Sequence, residues 1–203
     1  MCIRDSGGTY LVTGGTGGVG QFLVAWLIKL GAGQVIITGR RPEKEINLQS
    51  YANNKVLYFQ VDVTDCEAMT KLFADLNTNK EPIRGVFHAA GILNDGILVN
   101  QSVPRFQEVL KAKIIGTSHL HNITKSMRLD LFVLFSSVAS MVGAAGQGAY
   151  AAGNAYLDGL ADSRRQLGLP VTTINWGGWK DTGMMQENRA VDRLRRQGLR
   201  LLD

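Results

Sequence analysis

Short apolar runs of strand length alternate along the chain with longer stretches whose apolar positions recur at helical spacing. Thr9–Thr13 (TYLVT) is the first such run and leads straight into a glycine-rich loop. Val19–Leu30 (VGQFLVAWLIKL) predicts a helix ended by Gly31 and Gly33. Val35–Thr38 predicts a buried second strand, and Arg41–Asn54 a polar loop punctuated by Pro42. Val56–Val61 predicts a third strand, after which Asp65 caps a helix running to about Leu76. Ile83–His88 predicts the fourth strand, Gly91–Pro104 a loop, and Arg105 to about Lys125 one long helix. Leu131–Ser136 predicts the fifth strand. A glycine- and alanine-rich loop follows, then a helix from about Gly148 to Leu167, and Val171–Trp176 as the sixth strand. Strands that are apolar throughout, each separated by a helix, imply a parallel sheet covered on both faces. The expected fold class is therefore α/β, a doubly wound parallel sheet. No clear seventh strand is legible in Gly177–Asp203, so the chain reads as a fragment lacking the last strand.

Composition narrows this only slightly. With 203 residues, 45% of them hydrophobic and 19% charged, the chain can bury one full core, and disorder is excluded. The net charge of +5 is spread out, apart from Arg40-Arg41 and the tail Arg189–Arg200, which reads as a solvated, partly helical face. No basic module interleaved with aromatics is present, so no nucleic-acid partner is expected. The two cysteines, Cys2 and Cys66, have no metal-ligand spacing, so neither a metal site nor a disulfide framework is indicated, and a reducing, cytoplasmic setting is expected. No apolar run approaches the ~18 residues that a membrane span needs. The short polar segment Met1–Ser6 is no signal peptide; it reads as a non-native start, leaving residues 7–203 as the domain.

The first chemistry lies between the first strand and the first helix. In Thr13-Gly14-Gly15-Thr16-Gly17-Gly18-Val19-Gly20, the glycines at 15, 17 and 20 satisfy G-x-G-x-x-G, and those at 14, 18 and 20 satisfy T-G-x-x-x-G-x-G. Either pattern permits a tight turn and a close backbone approach to a pyrophosphate, with the helix N-terminus offering its free N–H groups. At the first strand-to-helix junction of an alternating pattern, the turn makes the sheet Rossmann-like and predicts a bound dinucleotide. An acidic residue at the end of the second strand would suit a ribose 2′-hydroxyl, but the chain has Gly39-Arg40-Arg41 there. A guanidinium suits a 2′-phosphate, so NADPH is the expected cofactor, with Arg40 ahead of Arg41. Asp62, after the third strand, suits either the adenine amino group or a local turn.

A second constellation suits reduction of a carbonyl. Tyr150 and Asn154 share one face of the helix predicted after the fifth strand. Ser137 ends the fifth strand at the ligand-binding edge of the sheet, with Ser136 and Ser140 as competitors, and Lys113 lies on the preceding long helix. Hydroxyls of Ser137 and Tyr150 can donate to a carbonyl oxygen as negative charge grows on it, and Tyr150 can deliver the proton. A nearby Lys113 ammonium favours the tyrosinate left behind. Asn154 orients the lysine or holds a water.

With these residues the chain resembles the short-chain dehydrogenase/reductase superfamily, and within it the ketoreductase domains of modular polyketide synthases. The resemblance spans Gly8 to about Met184, through TGGTGGVG (13–20), GRR (39–41), VDVTD (61–65), HAAG (88–91), KAKIIGTSHLH (111–121), FVLFSSVAS (132–140), GQGAYAAGNAYLDGLA (146–161) and NWGGW (175–179). Most of the superfamily carries its lysine four residues after the tyrosine. Here Asn154 holds that place and the lysine is Lys113, an exchange characteristic of the polyketide ketoreductases. The resemblance implies NADPH-dependent reduction of a β-ketoacyl thioester on an acyl carrier protein, with Ser137, Tyr150, Lys113 and Asn154 as the catalytic set. It adds Val63, Ala89, Ala90 and Gly91 to the cofactor-binding residues, and it selects Ser137 over its neighbours. It implies stereocontrol by Leu93, Asn94 and Asp95, similar to the Leu-Asp-Asp motif of B-type domains that set a D hydroxyl. Asn94 departs from that motif, and Val142 stands at the A-type tryptophan position. It further implies a cofactor-free structural subdomain upstream, neighbouring synthase domains, and a substrate lid from about residue 177. The alternatives are a free-standing reductase of small ketones and a domain that binds NADPH without reducing, retained for structure or epimerisation.

Overall fold

The computed structural model describes residues 7–48, 55–77, 82–179 and Leu202. Six parallel strands form one sheet: β1 (Thr9–Thr13), β2 (Gln34–Gly39), β3 (Val56–Gln60), β4 (Ile83–His88), β5 (Leu131–Ser137) and β6 (Thr172–Trp176). Their order is β3-β2-β1-β4-β5-β6, so the direction of winding reverses beside β1. A ligand crevice belongs at that switch point, outside the carboxyl ends of the strands. The helices are α1 (Gly18–Lys29), α2 (Cys66–Asn77), α3 (Val103–Lys111), α4 (Thr117–Thr124), the short α5 (Ala139–Val142) and α6 (Gly148–Gln166). This is the expected Rossmann-like doubly wound sheet.

Alternation along the strands divides the core in two. Leu11, Ile36, Val86 and Phe132 face one side and pack with Met69 and Phe73 of α2, Leu120 of α4 and Leu157 of α6. Their neighbours Val12, Ile37, Phe87 and Val133 face the other side, where α1 packs through Leu23, Val24 and Leu27. Asp65 accepts a hydrogen bond from the N–H of Ala68 at 2.9 Å, so it caps α2 as its position predicts.

The main departure from the expected elements is the long helix. It starts two residues earlier, at Val103, with Pro104 in its first turn, and it is not continuous. Ala112–Gly116 form a π turn between α3 and α4, so one extra residue is accommodated beside Lys113. The predicted loops also hold the 3-10 turn Leu98–Asn100 and α5. Beyond β6, where no seventh strand was legible, Trp179 makes a single parallel bridge to Leu202, whose N–H donates to the Gly178 carbonyl at 2.8 Å. The segment Met1–Ser6, Cys2 within it, the basic tail, and the expected lid beyond Trp179, save Leu202, lie outside the described residues.

Candidate active site

The glycine turn is as tight as its sequence suggested. Gly14 has φ of +72°, and a side chain there would come within 2.7 Å of the backbone of Ala90. A Cβ on Gly20 would lie 2.2 Å from the Gly14 carbonyl oxygen, so only glycine lets α1 start this close to the turn. Gly15 sits behind the turn, where a Cβ would meet Ile37 at 2.8 Å. The cap position of α1 is Gly17, which supplies no side-chain acceptor, and the first turn holds no acidic residue. The N–H groups of this helix end therefore meet no carboxylate from their own first turn.

That cleft has a volume of about 1140 Å³ and runs along the carboxyl edge of the sheet. Thr13, Gly14, Thr16, Gly17, Gly18, Val19, Gly20, Arg40, Arg41, Asp62, Val63, Ala89, Ala90, Gly91 and Leu93 line it together with Lys113, Ser137 and Tyr150. Gly15, Asn94, Asp95 and Asn154 are not among the residues that line it. Arg41 donates to the Thr16 carbonyl at 3.0 Å, which ties it to the glycine turn. Arg40 is exposed at the same rim, with Gln60 donating to its carbonyl at 3.2 Å. Asp62 Oδ1 accepts from both the N–H and the hydroxyl of Thr64 at 2.9 Å, within the turn after β3.

Ser137 ends β5 and is nearly buried. Its Oγ accepts the N–H of Ala139 at 3.2 Å, which leaves the hydroxyl proton free to be donated elsewhere. The competing serines are engaged otherwise: Ser136 donates to the Asn154 carbonyl at 3.3 Å, and Ser140 donates to Asp158 at 2.6 Å and to the Ser137 carbonyl at 2.8 Å. Burial pushes the Tyr150 hydroxyl above its usual pKa, and the carboxylate of Asp95 adds to this. Hydrogen bonding to Ser137 and Asn154 opposes the rise. Tyr150 is therefore a neutral proton donor at ordinary pH.

Lys113 is only 4% exposed. Its Nζ donates to the Phe135 carbonyl at 2.7 Å and lies 5.8 Å from the centre of the Tyr150 ring. Burial lowers its pKa to about 8, with the Asp158 carboxylate opposing the shift. The stem passes Gly153, where a Cβ would come within 3.1 Å of Lys113 Cβ. Asn154 is fully buried; its amide donates to the Tyr150 carbonyl at 2.8 Å, and its Oδ1 has no partner among the described residues. In the 92–97 loop, Asp95 accepts from Gln147 at 2.9 Å, and the N–H of Gly96 donates to the Gly146 carbonyl at 2.8 Å. These bonds tie the loop to the approach of Tyr150. Asn94 Oδ1 accepts from Arg105 Nε at 2.9 Å, so the amide fills its place in the loop by binding a cation.

Two parts of the site carried no assigned role in the sequence. Asp158 on α6 gathers Ser140, Thr173 and Asn175, and these hydrogen bonds hold its carboxyl below the usual range, although burial acts the other way. Asn175 also donates to the Ser137 carbonyl at 3.4 Å, so the network braces the end of β5. His88, the polar residue closing the apolar fourth strand, is fully buried between β1 and the π turn. A histidine at such a strand end is a signal that sequence reading can notice but not interpret. Groups of three or more residues able to hold a metal are absent among the described residues.

The profile of the KR domain family matches residues 8–181. The polyketide synthase GfsA of Streptomyces halstedii is 44% identical over 197 residues, which cover 94% of this chain and 3% of that synthase. A solved structure of A-type ketoreductases from a modular polyketide synthase superposes with a TM-score of 0.88 at 37% identity, covering 99% of this chain and 45% of that one. The first ketoreductase of the tylosin polyketide synthase gives 0.84 at 40% identity, covering 97% and 44%. The chain thus spans a few per cent of such a synthase and less than half of a solved ketoreductase chain. On this match, the glycine turn, Ser137, Tyr150 and the upstream Lys113 lie within one recognised unit, and the chain belongs to the KR domain family, the oxidoreductase ketoreductase domains of polyketide synthases.

Proposed function

We propose that the chain is the catalytic, NADPH-binding part of a ketoreductase that reduces a β-ketoacyl thioester on an acyl carrier protein to the β-hydroxyacyl thioester. The observation that carries this reading is the meeting of Ser137, Tyr150 and Lys113 in the same cleft as the glycine turn. The cradle left by Gly14 and Gly20 suits a pyrophosphate, and the arginines at the rim suit a 2′-phosphate. Bound NADPH supplies the hydride. Ser137 and Tyr150 hold the ketone oxygen by donating to it, and Tyr150 gives up its proton as charge grows there. Lys113 stabilises the tyrosinate, and with a pKa of about 8 it is a ready proton source near neutral pH. Asn154 offers its buried Oδ1 to a relaying water or to the lysine. Asp95, joined to the approach of Tyr150 through Gln147, directs the substrate face for a D hydroxyl. Neighbouring synthase domains, the carrier protein and an upstream structural subdomain are the partners of this reading.

NADPH oxidation with an acetoacetyl thioester, free and carrier-bound, tests it in the complete synthase module that carries the chain. Tyr150→Phe is expected to lower kcat by at least about 100-fold while NADPH still binds. Chiral analysis of the product is expected to find the D alcohol. A module that binds NADPH and never turns over would move the assignment to a non-reducing domain.

A further inference from the structure

The geometry points to His88 as a positioning residue for Lys113: it holds the carbonyl of Ala112, the first residue of the π turn, and ties that turn to Thr13 at the start of the phosphate turn. This inference deepens the proposed function and rests on the role given there to Lys113. His88 Nε2 lies 3.1 Å from the Ala112 carbonyl oxygen, and Nδ1 lies 2.7 Å from Thr13 Oγ1. A carbonyl only accepts, so Nε2 carries the ring proton. A neutral ring then accepts at Nδ1, and the Thr13 hydroxyl is the donor. The ring is kept neutral by its burial and by the Lys113 charge, which together lower its pKa to about 3, although the bond to Ala112 acts in the opposite direction. Both ring nitrogens are thus committed, and the tautomer is determined by its neighbours.

The bond to Ala112 matters because of where the helix is irregular. A π turn interrupts the regular ladder, and an outside donor at one of its carbonyls helps to hold the widened form. Ala112 is bonded to Lys113 in sequence, so His88 grips the backbone immediately before the lysine. The opposite side of the turn is seated as closely, since a Cβ on Gly116 would meet Val63 at 2.6 Å. The lysine is restrained at its backbone by His88, along its stem by Gly153 and at its Nζ by the Phe135 carbonyl. Thr13 starts the phosphate turn, and its own carbonyl accepts the N–H of Ala89 at 3.1 Å. The imidazole therefore joins the cofactor side of the cleft to the lysine side.

A double-mutant cycle in the complete synthase module separates positioning from general stability. His88→Leu is expected to lower kcat about 100-fold, the scale of a catalytic group displaced by about 1 Å, with KM for the thioester and Kd for NADPH little changed. His88→Gln, which can donate to Ala112 and accept from Thr13, is expected to recover most of the rate. Combined with Lys113→Met, His88→Leu is expected to cost nothing further, because its effect runs through the lysine. Where His88→Leu fails to fold, His88→Asn replaces it in the cycle, since it keeps a partner for Thr13 and is too short to reach Ala112. Losses that multiply in the double variant, or an unchanged kcat in the single one while Lys113→Met is inactive, would overturn the inference. Wild-type kcat in Lys113→Met would instead remove the role proposed for the lysine.

Discussion

Burial opposes the charge of Lys113. Its folded pKa of about 8 lies below the ordinary lysine value of 10.5, so the fold disfavours the ammonium. The penalty is fully present below about pH 8 and is relieved as the pH rises through 8 toward 10.5. Lys113→Met is therefore expected to stabilise the protein at pH 7 by on the order of 1–3 kcal/mol while lowering turnover. For a chain of this size that is a rise in Tm of several degrees. The difference from wild type should shrink when the melts are repeated between pH 8 and 10. A destabilised Lys113→Met at pH 7 would show that the bond to the Phe135 carbonyl outweighs the burial of the charge. That this lysine is buried was not legible in the sequence, where it is one cation among many on a helix. The spacing of Tyr150 and Asn154 was legible, because one turn of helix places them on one face.

At the scale of single elements, the strand-to-helix turn is the most constrained piece of the chain. In an ordinary helix, replacing glycine by alanine gains about 1 kcal/mol. At Gly20 the added methyl would stand 2.2 Å from a carbonyl oxygen and 2.7 Å from Gly15 Cα, both parts of the backbone that cannot swing aside. The clash outweighs the propensity. Gly20→Ala is expected to destabilise by about 1–3 kcal/mol and to weaken NADPH binding at least about 10-fold, read by fluorescence titration. A gain in stability with unchanged affinity would show that α1 can slide away from the turn. The π turn is the opposite case. Its residues AKIIG read as ordinary helix, because an inserted residue leaves no mark in the local pattern. What holds it wide comes from β4, through a side chain 24 positions away in sequence.

For the molecule as a whole, the sheet order places the ends of β1, β4 and β5 side by side, which brings Thr13, His88 and Ser137 to one edge. Apolar side chains remain on the surface: Phe22 and Trp26 on α1 with Leu30 at its C-cap, Leu98 and Val99 in the Leu98–Asn100 turn, and Met141 and Val142 in α5. Exposed apolar surface of this kind marks places that a further piece of protein covers. Adding flanking sequence that supplies the proposed upstream subdomain is therefore expected to raise the melting temperature above that of the chain alone. An unchanged value would mean that the chain is self-sufficient in stability. Among the described residues no helix is long and apolar enough to cross a membrane.

The sequence by itself determined the alternation of strands and helices, the glycine turn and the one-face pairing of Tyr150 with Asn154. Each of these is a local pattern, expressed within a few residues by strand alternation, by helix spacing or by the absence of a Cβ. Tertiary structure decided what depends on residues far apart in the chain. It engaged Ser136 and Ser140 in hydrogen bonds of their own, opened a π turn within the long helix, lowered the pKa of Lys113 by burying it, and set His88 between Thr13 and Ala112. Burial and hydrogen-bond partnership belong to the packed arrangement, and no local stretch of sequence carries them.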